Sequence, residues 1–236
     1  MIPKIIHYCW FGGKALPKSA EKCIKSWQKY MPGYEIKRWD ESNFDINAID
    51  YTRDAYAAGK YAFVSDYARF YVLNKYGGIY FDTDVEVIAP FDDILAAGAY
   101  LGREEIGVNP GLGMASEANN PFLNLIIDYY SHLQFKTEGG RMLNIVDHTT
   151  GILIQNGYRN EDLFQQCCGF NIYPQEFFCP IDYDTRELKI TGNTRTIHHY
   201  AESWVPKSTR FKNSLKRLFG QKFINLLIEI KHLFKH

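Results

Sequence analysis

The run Tyr76-Gly77-Gly78-Ile79-Tyr80-Phe81-Asp82-Thr83-Asp84 constrains this chain more than any other segment. Paired glycines stop a preceding apolar helix, because a residue without a Cβ takes a left-handed turn freely. Ile79 to Phe81 then reads as a buried strand, and two carboxylates follow where that strand leaves its sheet. A helix, a glycine turn and a buried strand ending in acids predict an α/β layer with its ligand site at the carboxyl edge of the sheet.

The rest of the chain fits that layer. Lys4 to Trp10 reads as a short apolar strand closed by Phe11-Gly12-Gly13, and Pro17 to Tyr30 as a helix with Ala20, Ile24 and Trp27 on one face. Tyr34 to Trp39 is expected as a second strand, Tyr56 to Leu73 as one long helix, and Val85 to Ile88 as a further extended stretch. Asn109-Pro110-Gly111-Leu112-Gly113 reads as a loop, Pro121 to Phe135 as a helix, and Phe170 to Pro180 as irregular with strand character. His7 is expected to be buried structure.

Charge divides the chain into two parts. From Pro206 onward eight Lys/Arg face one Glu, a charge of +7, so a neutral whole leaves residues 1–205 at −7. An acidic body does not suit nucleic acid, whose phosphates require a basic face. The tail places Phe211, Leu215, Leu218, Phe219, Phe223, Leu226, Leu227, Ile230, Leu233 and Phe234 at three- and four-residue steps with basic residues between them. That pattern is a basic amphipathic helix, suited either to packing on the body or to an anionic membrane surface. The expected division is a catalytic domain over 1–205 and a helical tail over 206–236. Five cysteines without metal spacing, no run approaching the ~18 apolar residues of a membrane span, and no signal-like start point to a cytoplasmic protein, peripheral at most.

Asp82 and Asp84 supply hard oxygen ligands for Mg²⁺ or Mn²⁺, ions that keep water and bind phosphate oxygens. A D-x-D triplet alone proves little, since Asp182-Tyr183-Asp184 is a second one, read as a solvated turn after Pro180. Context separates them. Asp66 and Arg69 lie three apart, on one helix face, near the end of an apolar helix expected to pack against the strand that carries the first triplet. From spacing alone they are either an intrahelical ion pair or a functional one.

The sequence S-D-Y-A-R-F-Y-V-L over 65–73, followed by Y-G-G-I-Y-F-D-T-D over 76–84, resembles the central motif of the family-32 glycosyltransferases, the group with a DXD sugar-binding region. The likeness extends from Ile2 to about Trp204. It implies a GT-A type fold, a Rossmann-like mixed sheet flanked by helices, similar to the catalytic domains of glucosylating bacterial toxins. By that resemblance Asp82 and Asp84 are the metal and diphosphate residues, with Thr83 beside the donor, while Asp66 and Arg69 grip the donor hexose. Trp10, at the end of the first strand, is expected to stack on the nucleotide base. His198-His199-Tyr200-Ala201-Glu202-Ser203-Trp204 matches the closing H-H-x-x-x-S-W segment. His198 or His199 would complete the shell of the Mn²⁺ or Mg²⁺, and Ser203 and Trp204 would close over the donor. Asn109 is a further candidate for the sugar or acceptor. His148-Thr149-Thr150-Gly151 occupies the place of a T-G-P loop, with Ile152 where the proline stands.

The resemblance implies sugar transfer with retention of anomeric configuration, Asp66, Arg69, Asp82, Asp84 and Trp204 forming the catalytic set. UDP-hexose is expected over GDP-mannose as donor, and a growing polysaccharide, as in capsule synthesis, or a lipid-linked oligosaccharide as acceptor. Membrane contact would run through residues 207–236. Two other classes compete. Nucleotidyl transfer or pyrophosphate hydrolysis also uses paired aspartates, although no G-x-x-x-x-G-K-S/T phosphate loop occurs here. A carbohydrate-binding scaffold without turnover would keep the fold and lose the need for Asp82.

Overall fold

The computed structural model describes residues 1–135, 144–182 and 185–201. The C-terminal tail, Ser203, Trp204 and two residues of the second triplet, Tyr183 and Asp184, lie outside the described residues.

The described strands build a mixed sheet flanked by helices. Its order is β2 (Glu35–Trp39), β1 (Ile5–Cys9), β3 (Gly78–Tyr80), β7 (Met114–Ser116), β5 (Tyr100–Glu104), β9 (Phe170–Tyr173) and β8 (Gln165–Cys167), with β6 (Gly107–Val108) beside β5. β1 runs parallel to β2 and β3, whereas β7 is antiparallel to both β3 and β5. This is the mixed α/β architecture expected from the sequence.

Alternating strand residues divide the core between the two faces. Tyr80, Leu101 and Met114 join one cluster with Val64, Phe70 and Leu73 of α3 (Tyr61–Tyr76). Ile79, Tyr100 and Ala115 join the other with Trp27 of α1 (Lys18–Tyr30) and Phe178 of α7 (Gln175–Phe178). α3 is apolar nearly all round and almost continuously buried from Val64 to Phe70, as a helix inside the structure must be.

Gly77 and Gly78 both have positive φ, +64° and +108°. A Cβ on Gly78 would come 2.6 Å from the Ile5 carbonyl, so the turn from α3 into β3 closes only with glycine there. His7 fastens the same turn: its Nε2 lies 2.9 Å from the Gly77 carbonyl and its Nδ1 accepts from the Trp39 indole at 3.0 Å. That pairing calls for the neutral ring, and burial pushes its pKa down to about 4.

Several expectations are corrected. The single helix from Tyr56 to Leu73 is two, α2 (Asp50–Ala57) and α3, because Gly59 takes φ +67° and breaks the register. Asp66 and Arg69 consequently fall in the middle of α3, not at a helix end. Val85 to Ile88 is extended as expected over Val85–Val87, but not as part of the central sheet. After a turn at Thr83 and Asp84, β4 (Val85–Val87) pairs instead with β10 (Thr196–His198) in a separate two-stranded sheet. α1 holds that exit in place, since the Trp27 indole donates to the Val85 carbonyl at 2.8 Å and Ser26 Oγ accepts from the Val87 N–H at 2.9 Å.

The helix from Pro121 stops at Ser131 (α5). His148 to Gly151 is no loop: it lies in α6 (Ile145–Gln155), opened by a capping box between Asn144 and Asp147, with Thr150 Oγ1 accepting from the Val108 N–H. No helix among the described residues is long and apolar enough to cross a membrane.

Candidate functional site

Asp82, Thr83 and Asp84 sit at the carboxyl ends of β3 and β1, all three half-buried. Tyr80 points to the α3 face, and Asp82, two residues on, follows it. Arg69 meets them from α3. Its guanidinium bridges two carboxylates, Nη2 to Asp66 Oδ1 at 2.9 Å and Nη1 to Asp82 Oδ2 at 3.2 Å, while Nε donates to the Ser65 carbonyl at 3.1 Å. It also lies 4.8 Å above the Tyr80 ring, whose hydroxyl donates to Asp82 Oδ1 at 2.9 Å. The intrahelical pair and the pairing across to the triplet are thus one structure.

One guanidinium serves two acids, so the cluster carries a net negative charge. Burial pushes Asp66 up to about 7 and Asp82 adds to the rise, against the pull of Arg69. A carboxyl whose folded pKa lies above the unfolded value of about 3.9 favours folding fully below that value, and the contribution is lost as pH rises through about 7. Asp66→Asn is therefore expected to gain stability relative to wild type between pH 4.5 and pH 7.5, on the order of 2–4 kcal/mol. Urea unfolding at the two pH values checks this; equal shifts in both proteins would contradict it.

Asp84 turns away from Arg69 toward β10. Its Oδ1 lies 3.4 Å from His198 Nε2, and its Oδ2 accepts from the Ala201 N–H at 2.9 Å. Burial works against the Asp84 charge, but His198 and the Ala201 N–H outweigh it and hold the pKa down to about 2. Burial likewise opposes the imidazolium, yet Asp84 keeps His198 well above the usual histidine range. The His199 N–H donates to the Asp84 carbonyl at 3.0 Å, but its ring turns away from the triplet, Nε2 lying 2.7 Å from Glu86 Oε2.

The loop before β7 joins the two halves. The Asp82 N–H donates to the Gly111 carbonyl at 3.0 Å, and the Gly111 N–H to Asn109 Oδ1 at 2.8 Å. Gly111 is packed so closely that a Cβ on it would lie 2.0 Å from Asp82 Oδ2 and 2.9 Å from Arg69 Nη1. Asn109 Nδ2 continues to Glu104 Oε2 at 3.0 Å, to which the Tyr200 hydroxyl also donates at 3.3 Å. Glu104 in turn neighbours His198. From Asp66 through Arg69, Asp82, Gly111, Asn109, Glu104 and His198 to Asp84, the polar groups therefore form one continuous series.

Trp10 follows Cys9 at the same sheet edge, half-buried, its indole donating to the Lys14 carbonyl at 2.7 Å. Of the second triplet, Asp182 caps a turn by accepting from the Thr185 N–H and hydroxyl. Sequence reasoning missed Tyr80, Gly111, Glu104 and Tyr200. Only Tyr80 carried a signal, the strand period of two that puts it on the side of Asp82.

Fold and site together define an α/β protein with a carboxylate-rich cluster at the carboxyl edge of its sheet. Residues 17–100, which hold Asp66, Arg69 and the Asp82 to Asp84 turn, match the family model described as the glycosyltransferase sugar-binding region containing a DXD motif. The match spans about a third of the chain and includes the acids of the first triplet.

Inositol phosphoceramide mannosyltransferase 3 of Schizosaccharomyces pombe is 32% identical over 130 residues, covering 53% of this chain and 36% of that protein. An uncharacterized glycosyltransferase of Acanthamoeba polyphaga mimivirus is 30% identical over 110 residues, 43% of each chain. Subversion of eukaryotic traffic protein A of Legionella pneumophila is 29% identical over 128 residues, 42% of this chain and 20% of that one. The chain thus spans less than half the length of these curated relatives. Among solved structures, the PaToxG glycosyltransferase overlays with a TM-score of 0.48 at 21% identity, covering 65% of this chain and 68% of that one.

Proposed function

We propose that this chain is a metal-dependent glycosyltransferase that moves a hexose from a nucleotide-sugar, with UDP-hexose the favoured donor, to a glycan hydroxyl with retention of configuration. The observation that carries the reading is the Asp66–Arg69–Asp82 bridge, inside the segment 17–100 that matches the DXD family model, beside the pair that Asp84 of that segment makes with His198.

The donor set fits a hard divalent cation: two half-buried carboxylates with unused lone pairs, and an imidazole nitrogen 3.4 Å from one of them. Asp82, Asp84 and His198 are its ligands in this reading. When bound, Mn²⁺ or Mg²⁺ offsets the charge that develops on the departing diphosphate. Arg69 and Asp66 offer donors and acceptors to an array of sugar hydroxyls, and Asp66, titrating near neutrality, suits hydrogen bonding to a hydroxyl better than attack on the anomeric carbon. Transfer then proceeds on the face of the departing diphosphate, and the protein's work is positioning and electrostatic stabilisation. Trp10 serves the base, Thr83 and Asn109 the donor side, and Ser203 and Trp204, which follow Ala201, the closure over the donor. Residues 1–205 form the catalytic unit. Residues 207–236 bring it to an anionic membrane surface, where lipid-linked acceptors reside.

Calorimetric titration with UDP-hexoses and GDP-mannose in Mn²⁺ tests the donor assignment. A UDP-hexose is expected to bind, with affinity lost on chelation. Binding of none, or of GDP-mannose alone, would overturn it.

A further inference from the structure

Behind the ring that faces Asp84 lies a second cluster of different chemistry. One ligand atom from each of Glu104, Cys179 and His198 falls within 4.8 Å of the others, and all three residues are buried. They come from three separate elements, Glu104 closing β5, Cys179 following α7 and His198 ending β10. His198 uses Nε2 toward Asp84, while its buried Nδ1 has no hydrogen bond of good geometry, although the Cys179 thiol is close enough to interact with the ring. A buried polar atom so poorly satisfied is costly, and a ligand at Nδ1 would remove that cost. Cys179 Sγ lies 2.9 Å from the Tyr200 hydroxyl, which also donates to Glu104, so that phenol holds the cluster together.

We infer that Glu104, Cys179 and His198 Nδ1 form a binding site for a thiophilic divalent cation of the zinc class, separate from the hard-cation site at Asp82 and Asp84. Thiolate, imidazole and carboxylate are the donors zinc takes, and Mg²⁺ or Mn²⁺ does not select sulfur. Tetrahedral zinc with ligand bonds of about 2.0–2.3 Å needs ligand atoms roughly 3.3–3.8 Å apart, so the cluster has only to contract slightly. Water or the Tyr200 hydroxyl takes the fourth position. Binding displaces two protons to solvent, the Cys179 thiol proton and the Nδ1 proton of the His198 imidazolium, leaving the Nε2 proton facing Asp84.

His198 couples the two sites. With a cation on Nδ1, the imidazole keeps its proton on Nε2 and donates it to Asp84, the carboxylate–histidine–metal arrangement. Asp84 and His198 are then withdrawn from the hard cation, so zinc inhibits; this consequence rests on the proposed metal role of Asp84, whereas the site itself does not.

Co²⁺ titration of the metal-stripped full chain tests the site without reference to activity. One equivalent is expected to give thiolate-to-Co²⁺ charge transfer in the near ultraviolet and tetrahedral bands in the visible, both removed by one equivalent of Zn²⁺. Cys179→Ser loses the charge transfer, and the Cys167→Ser/Cys168→Ser double variant keeps it. Glu104→Gln weakens Zn²⁺ binding at least about tenfold, which decides the matter should Cys179→Ser fail to fold by circular dichroism. Absence of the charge transfer in the wild type, its survival in folded Cys179→Ser, or unchanged Zn²⁺ affinity in Glu104→Gln would overturn the inference. Failure of the hexose-transfer reading would show separately, as nucleotide-sugars left intact in Mn²⁺.

Discussion

Arg69→Met is expected to lower the free energy of unfolding by about 3–5 kcal/mol, because it strips the counter-ion from two acids at once. The Arg69 side chain is only 4% exposed and holds Asp66, Asp82 and the Ser65 carbonyl together. Methionine fills the volume but leaves Asp66 charged or protonated in a site with no cation to meet it. Lysine is no substitute, since a single ammonium cannot fork to both carboxylates. Adding Asp66→Asn to Arg69→Met should return about 1–2 kcal/mol by removing the stranded charge, without restoring donor binding. Urea unfolding of the single and double variants checks the first part, and calorimetry with the nucleotide-sugar the second. A loss below about 1 kcal/mol in Arg69→Met would reduce the bridge to an ordinary surface-like pair.

Gly111→Ala has the opposite profile, a small cost to stability and a large one to turnover. Gly111 is in no strained region of backbone space; it is glycine because Asp82 Oδ2 stands where a methyl group would go, 2.0 Å away. Its carbonyl and N–H are both engaged, by the Asp82 N–H and Asn109 Oδ1, so the loop cannot back off. Asp82 must instead rotate away from Arg69 and Tyr80. Overpacking of this kind costs roughly 1–3 kcal/mol, whereas a misplacement of about 1 Å in a reacting site costs on the order of 10²-fold in rate. Steady-state kinetics beside thermal unfolding would show both. An alanine variant with wild-type turnover would remove Asp82 from the reaction.

The parts of the fold that sequence made legible are those written in local grammar. The strand before Phe11-Gly12-Gly13, α1, and the glycine turn between α3 and β3 each depend on residues within a few positions of one another. Local reading failed where a single backbone conformation or a distant partner decides. Lys60 and Gly59 look helical enough to join α2 to α3, and only the positive φ of Gly59 separates them. β4 reads as a continuation of the central strand until β10, over a hundred residues later, supplies its partner.

The same distinction runs through the site. Asp66 and Arg69 share a face by helical spacing, and the motif marks Asp82 and Asp84, but nothing local says that Arg69 reaches Asp82 or that Asp84 turns instead to His198. Glu104 and Cys179 carried no motif, and Tyr200 fills an unspecified position of the H-H-x-x-x-S-W segment. Their meeting depends on β5, α7 and β10 converging on one sheet edge.

The most direct test is release of nucleoside diphosphate from candidate nucleotide-sugars by the full chain in Mn²⁺, for wild type, Asp84→Asn and Asp182→Asn. The account predicts release by wild type that stops on chelation, a loss of about 10²–10³-fold in Asp84→Asn, and wild-type behaviour in Asp182→Asn. Donors left intact by wild type, or Asp84→Asn as active as wild type, would contradict it.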